Sequence, residues 1–174
     1  MILCVNVSAA EQNFWVKTDA VYEAWTKGSK NSRLGTDFQI GYKFHDNWSV
    51  DVKQYFRINS YMGSSNNRFE GALSYEYDIF RLRMSVGERY YGNVSNRYIG
   101  VEPTLIVPVT KNFNIGAGYR FRTENGPTFD DETNAMFVTS NYKFHENFSV
   151  NAGLIRSWGK QYYYSPSVGI TAQF

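Results

Sequence analysis

The side chains with the most chemistry to offer are basic, and along the chain they alternate with apolar neighbours. Taking every second residue of the alternating stretches onto one face collects Lys17, Arg33, Lys43, Lys53, Arg57, Arg68, Arg81, Arg83, Arg89, Arg120, Arg122 and Lys143. The same face carries the acids Asp19, Glu23, Asp37, Asp51, Glu70, Glu76 and Glu102. Twelve bases against seven acids leave an excess of five positive charges, more than the +2 of the whole chain, because Asp46, Asp78, Asp130, Asp131, Glu132 and Glu146 fall in connections. Guanidinium forks suit carboxylates and phosphates, so such a face would attract anions. Arg33, Arg57, Arg68, Arg89 and Arg122 fall near one set of strand ends and predict a collar there. The residues expected to meet an anionic solute are Arg33, Lys53, Arg57, Arg68, Arg81, Arg83, Arg89, Arg120 and Arg122. The competing reading is structural: the same arginines pair with Glu23, Glu70 and Glu102 and fill the space they point into.

Other chemistries find little support. The two histidines, His45 and His145, both precede Asp/Glu-Asn pairs and read as turn residues, and no serine is placed with a base to activate it. No cluster has metal-ligand spacing and no glycine-rich phosphate loop precedes a helix, so neither a cofactor nor catalysis is expected. Cys4 is the single cysteine, which excludes a disulfide scaffold. A net charge of +2 gives no electrostatic ground for a nucleic-acid partner.

What must position the arginines is an extended backbone. From 33 to 45, Leu34, Thr36, Phe38, Ile40, Tyr42 and Phe44 share one face and Arg33, Gly35, Asp37, Gln39, Gly41, Lys43 and His45 the other. The same period predicts ten strands near 13–25, 33–45, 48–59, 68–77, 80–91, 97–109, 113–123, 133–145, 148–158 and 162–174. Tight turns are expected at 45–47, 78–79, 110–112 and 145–147, longer links at 26–32, 60–67, 92–96 and 124–132, and a short fifth link near 159–161. Short turns at one end and longer loops at the other are the outer-membrane pattern, and an even strand count puts both termini at the periplasmic side. Tyr42 to Val50 recurs as Tyr142 to Val150, one hairpin used twice.

Alternation alone would also suit a soluble barrel with its oily face inside. Aromatic volume decides against it. The chain is 18% aromatic, and Phe14, Phe38, Phe56, Phe69, Tyr75, Tyr119, Phe121 and Tyr164 all lie on the oily face, too much bulk for a narrow tube. Phe44, Trp48, Tyr77, Phe80, Phe113, Phe144 and Phe148 gather beside the tight turns, as a membrane-interface girdle requires. The charged face instead carries Gly35, Gly41, Gly87, Gly100, Gly116, Gly118, Gly153 and Gly169, which make room in a lumen. The expected fold class is therefore all-β: a transmembrane antiparallel up-and-down barrel, one domain over 11–174, in the bacterial outer membrane. Residues 1–10 read as a short secretory leader, and the final strand ends on Phe174 like the signal by which barrel-assembly machinery recognises its clients. The expected partners are outer-membrane lipid and lipopolysaccharide, that machinery and an anionic oligosaccharide, with the chain acting as a monomer. Short polar loops around 60–67 and 124–132 leave an adhesin or purely structural barrel as the alternative.

The stretches Arg97-Tyr98-Ile99-Gly100-Val101-Glu102-Pro103-Thr104 and Val109 through Arg122 resemble the central hairpin of the oligogalacturonate-specific porin family, and Ser32-Arg33-Leu34 through Val50-Asp51-Val52-Lys53 resembles its second and third strands. The resemblance implies a monomeric channel with a basic lumen that passes acidic oligosaccharides. Members of that family have twelve strands, so twelve is the alternative to the ten read from the residues.

Overall fold

A computed structural model describes residues 13–26, 32–59, 65–91, 94–125, 131–159 and 162–174, so the expected leader at 1–10 lies outside the described residues. Among these, the strands are β1 Phe14–Trp25, β2 Arg33–His45, β3 Trp48–Asn59, β4 Ser65–Tyr77, β5 Phe80–Tyr91, β6 Val94–Thr110, β7 Phe113–Asn125, β8 Asp131–His145, β9 Phe148–Gly159 and β10 Tyr163–Gln173. Each pairs antiparallel with the next, and β1 pairs with β10, closing the sheet into an up-and-down barrel of ten strands. The twelve-strand alternative is thereby corrected. Closure matters physically, because an open edge would leave backbone donors and acceptors unpaired where lipid offers none. The seam is sealed through its last residues, with Phe14 N donating to Phe174 O at 3.1 Å and Phe174 N to Phe14 O at 2.8 Å.

Strand centres follow the alternation, but the loop-side ends run further than expected. β4 begins at Ser65, β6 at Val94 and β8 at Asp131, while β7 continues to Asn125. Near these ends both faces turn polar, as at Ser65-Asn66-Asn67, so the hydrophobic period fades although the ladder goes on, with Asn66 opposite Tyr91. Several links expected as long loops are accordingly shorter.

At the other end the turn at 78–79 is as read and the other three are one residue tighter. Two residues make each: Asp46-Asn47, Asp78-Ile79, Lys111-Asn112 and Glu146-Asn147. Three of them are preceded by a register shift, between Lys43 and His45, Pro108 and Thr110, and Lys143 and His145. The repeated sequence thus folds into the same bulged hairpin twice, and both extra residues, Phe44 and Phe144, are 53% exposed. The fourth turn needs no bulge because Asp78 takes a left-handed φ of 52°, which aspartate tolerates.

The faces divide as volume argued. Leu34, Phe38, Val52, Val86, Ile99, Val138, Leu154 and Ile170 are exposed on the outside, forming the apolar band a bilayer requires. Ring contacts fix its periplasmic border, with Trp48 and Tyr75 centroids 4.8 Å apart and Phe144 stacked on Phe148 at 6.4 Å. The interior is polar and charged: Asp19, Asp37, Asp51, Arg57, Glu70, Arg83, Glu102 and Arg122 are all buried.

Candidate functional site

Lumenal glycines decide where the large interior side chains go. Trp15 stands opposite Gly41, Tyr98 opposite Gly87, and Phe137 opposite Gly118. In each couple the ring lies over the glycine: a Cβ on Gly87 would sit 2.5 Å from the Tyr98 ring and one on Gly118 2.4 Å from Phe137. Arg57 uses Gly35, and Arg122 uses Gly100, in the same register relation. These inward aromatics, with Tyr55, are the interior residues the sequence reading passed over. Strict alternation from Asp51 or Glu102 would have placed Tyr55 and Tyr98 inside.

The bases do not stand free across mid-lumen. Arg83 reaches Asp51 at 2.8 Å, Glu70 at 2.6 Å and Glu102 at 3.1 Å. Arg120 meets Glu102 at 3.0 Å and Arg122 meets Glu70 at 3.1 Å. The Tyr55 and Tyr98 hydroxyls donate to the two oxygens of Glu70, at 3.1 and 2.8 Å. Three acids and three arginines therefore balance in this cluster. A second cluster nearer the loops joins Arg57 to Glu23 at 2.9 Å and to Asp37, Lys53 to Asp37 at 3.1 Å, and Arg33 to Glu23 at 3.8 Å. There three bases face two acids. Lys17 pairs with Asp19 and Arg81 with Glu76 at the periplasmic half.

Arg33, Lys53, Arg57, Arg68, Arg89 and Arg120 line one cavity toward the loop end, together with Tyr55, Tyr163, Ser165 and Ser167. Its volume is about 50 Å³, room for a few waters where one needs about 10–15 Å³. Arg68 and Arg89 are direct cross-strand partners, a like-charge pair that costs stability on its own. Aromatic faces lie against it: the Arg68 guanidinium is 5.2 Å from the Tyr55 ring and 5.3 Å from that of Tyr98.

Of the residues read as a collar, Arg33, Arg57, Arg68 and Arg89 line the cavity, whereas Arg122 is 2% exposed beneath the Tyr98 ring at 4.5 Å and bonds Glu70. Arg83 is likewise locked in the mid-lumen cluster, and Arg81 lies apart near the periplasmic turn of β4 and β5. The remaining members, Lys53 and Arg120, join the cavity from below.

Charge is also segregated around the circumference, which the sequence reading did not foresee. All the acid-base pairs above lie on β1 to β7. The inward positions of β8 to β10 take part in none of these pairs and are mostly small and neutral, with Phe137, Ile155 and Tyr163 the large exceptions and Lys143, near the periplasmic turn, the charged one. Asn141 donates to Ser149 at 2.9 Å and Asn151 at 2.6 Å, and Asn151 donates on to Thr171 at 2.8 Å. A charged arc faces a hydroxyl and amide wall. The histidines lie exposed beside the tight turns, where His145 Nδ1 accepts from Asn147 N at 3.3 Å, the role of a turn residue.

No family model matches this chain, and no curated protein does. Among solved structures it is similar to the translocator domain of the autotransporter NalP from Neisseria meningitidis, at 12% identity over 93% of this chain and 88% of that one, with a TM-score of 0.53. It is similar also to the KdgM porin in complex with disordered oligogalacturonate, at 10% identity over 92% of this chain and 99% of that one, with a TM-score of 0.52. At such identities the likeness is one of fold, and the resemblance read from the residues holds at that level. With its closed ten-strand sheet, apolar exterior and charged lumen, the chain is a bacterial outer-membrane β-barrel.

Proposed function

We propose that this barrel is a narrow outer-membrane channel, not an enzyme, and that it admits small anionic solutes through a basic vestibule at its outer mouth. One observation carries the reading: six basic side chains, Arg33, Lys53, Arg57, Arg68, Arg89 and Arg120, converge on a single lumenal cavity at the loop end. The positive excess of the lumen gathers there, since the mid-lumen cluster is balanced and the loop-side cluster is not. A bound carboxylate or phosphate would accept charge-assisted hydrogen bonds from the guanidinium groups that line this cavity. Acidic sugars suit the neighbouring tyrosines and serines as well, and the porin of similar fold was solved with oligogalacturonate, an oligosaccharide of that class. The passage would run between the charged arc and the mostly neutral wall of β8 to β10, which lines the cavity with Ile155, Tyr163, Ser165 and Ser167.

Ten strands stand near the closed end of the barrel series, where side chains come close to filling the tube. That favours slow, selective passage over bulk diffusion. The small cavity and the complete mid-lumen pairing also support a second reading, a sealed barrel with a structural role. Swelling of liposomes containing the purified chain separates the two. The channel reading expects galacturonate to enter faster than galactose of equal size, and Arg68→Glu with Arg89→Glu to abolish the difference. Liposomes that swell no faster than protein-free ones would establish the sealed barrel.

A further inference from the structure

The outer surface carries a second cavity, of about 720 Å³, on the lipid side of β3 to β7 and separate from the vestibule. Register builds its floor: Val52 is opposite Gly71, Gly71 opposite Val86, Val86 opposite Ile99, and Ile99 opposite Thr123. Where its neighbours on this row are branched, Gly71 has no side chain, and a Cβ added there would meet nothing within 4 Å. The result is an apolar groove sunk between Val52 and Val86.

The next row toward the loops is of another kind. Phe69 is opposite Glu88 and Glu88 opposite Arg97, all facing outward, with Tyr90 above them. Among the described outward positions of the strands, charge is confined to Glu88, Arg97 and Arg156. A charge on the lipid face is costly at mid-membrane and nearly free at the interface, so this row marks the outer headgroup level. Glu88 is already engaged: the Tyr90 hydroxyl donates to it at 2.8 Å, and Ser95 hydrogen-bonds it too. Arg156 lies over the Tyr164 ring at 5.7 Å. Arg97, exposed at the head of the groove and opposite Glu88, whose charge it also faces, is the cation this row offers to the headgroup layer.

We infer that the groove seats an acyl chain of an outer-leaflet lipid whose phosphate headgroup is held by Arg97. The occupant follows from complementarity. An apolar slot continuous with the bilayer takes a hydrocarbon chain, and a guanidinium one row above its floor takes the phosphate oxygens of the same molecule. Tyr90 and Phe69, whose rings meet edge to face at 6.4 Å, form the interfacial wall beside the headgroup. The site is independent of whether the lumen conducts.

Native mass spectrometry of the full chain, released from detergent micelles, tests it. The probes are dioleoyl phosphatidic acid, dioleoylglycerol with the same chains and no phosphate, and inorganic phosphate. One phosphatidic acid should be retained per barrel, about tenfold more strongly than dioleoylglycerol, the worth of one charge-assisted contact. Arg97→Ala should lower retention of phosphatidic acid to the dioleoylglycerol level. Gly71→Leu, which fills the slot, should lower both, and Arg156→Ala neither. Should Gly71→Leu fail to fold, Arg97→Ala still decides. Equal retention of the two lipids, displacement of phosphatidic acid by inorganic phosphate, or a dimer in place of bound lipid would each overturn the inference.

Discussion

Glu70 is the residue on which the lumen converges: it is 1% exposed, accepts hydrogen bonds from Tyr55 and Tyr98, and pairs with Arg83 and Arg122. Removing one member of such a cluster leaves the rest charged and unmatched. Glu70→Ala should therefore destabilise the barrel by about 3–5 kcal/mol, the range for breaking a buried ion pair. Urea unfolding in lipid vesicles, followed by tryptophan fluorescence, measures it, and a loss under about 1 kcal/mol, the worth of a surface pair, would mean that the cluster is hydrated and loose. At this scale the sequence disclosed which charges point inward but not their partners. Arg122 and Glu70 are 52 positions apart, and nothing local links β7 to β4. Arg122 was misplaced in the collar for a related reason. Strands in a barrel tilt and stagger, so equal distance along two strands is not equal height in the lumen.

Among elements, the recurrent device is a glycine facing a large inward residue on the next strand, as Gly87 faces Tyr98. It lets a narrow tube hold rings and guanidinium groups without distorting the ladder. Gly87→Leu should displace the Tyr98 ring and cost about 1–3 kcal/mol, the usual toll of overpacking. In a Tyr98→Gly background the same change should cost less, since the two positions are coupled, but still something, because a Cβ at 87 also meets the Phe69 carbonyl oxygen at 2.5 Å. The same vesicle unfolding series checks both, and equal costs in the two backgrounds would show that the ring does not depend on the glycine. Strand centres were legible because lipid and lumen impose opposite chemistries on alternate residues. Strand ends were not, because beyond the bilayer neither face has to be apolar, as the sequence Ser65-Asn66-Asn67 at the start of β4 illustrates. The turn bulges were hidden too, although the repeat of Tyr42 to Val50 at Tyr142 to Val150 foretold that both hairpins would be built alike.

For the molecule as a whole, the exterior follows from composition and the interior from topology. Aromatic excess and alternation indicated a greasy outside, and closure of β1 on β10 then fixed it. The division of the lumen into a charged arc and a neutral wall could not be read from any strand alone, because it emerges only when β8, β9 and β10 are set side by side. That division, with the basic vestibule above it, is the basis for reading the barrel as an anion-accepting channel. Its most direct test is the zero-current potential of single barrels in a planar bilayer under a potassium chloride gradient. Small, discrete conductances with a potential of the sign set by chloride, moving toward that of potassium in the Arg68→Glu, Arg89→Glu variant, are the predicted result; a silent bilayer, or a wild-type potential already on the potassium side, would contradict it.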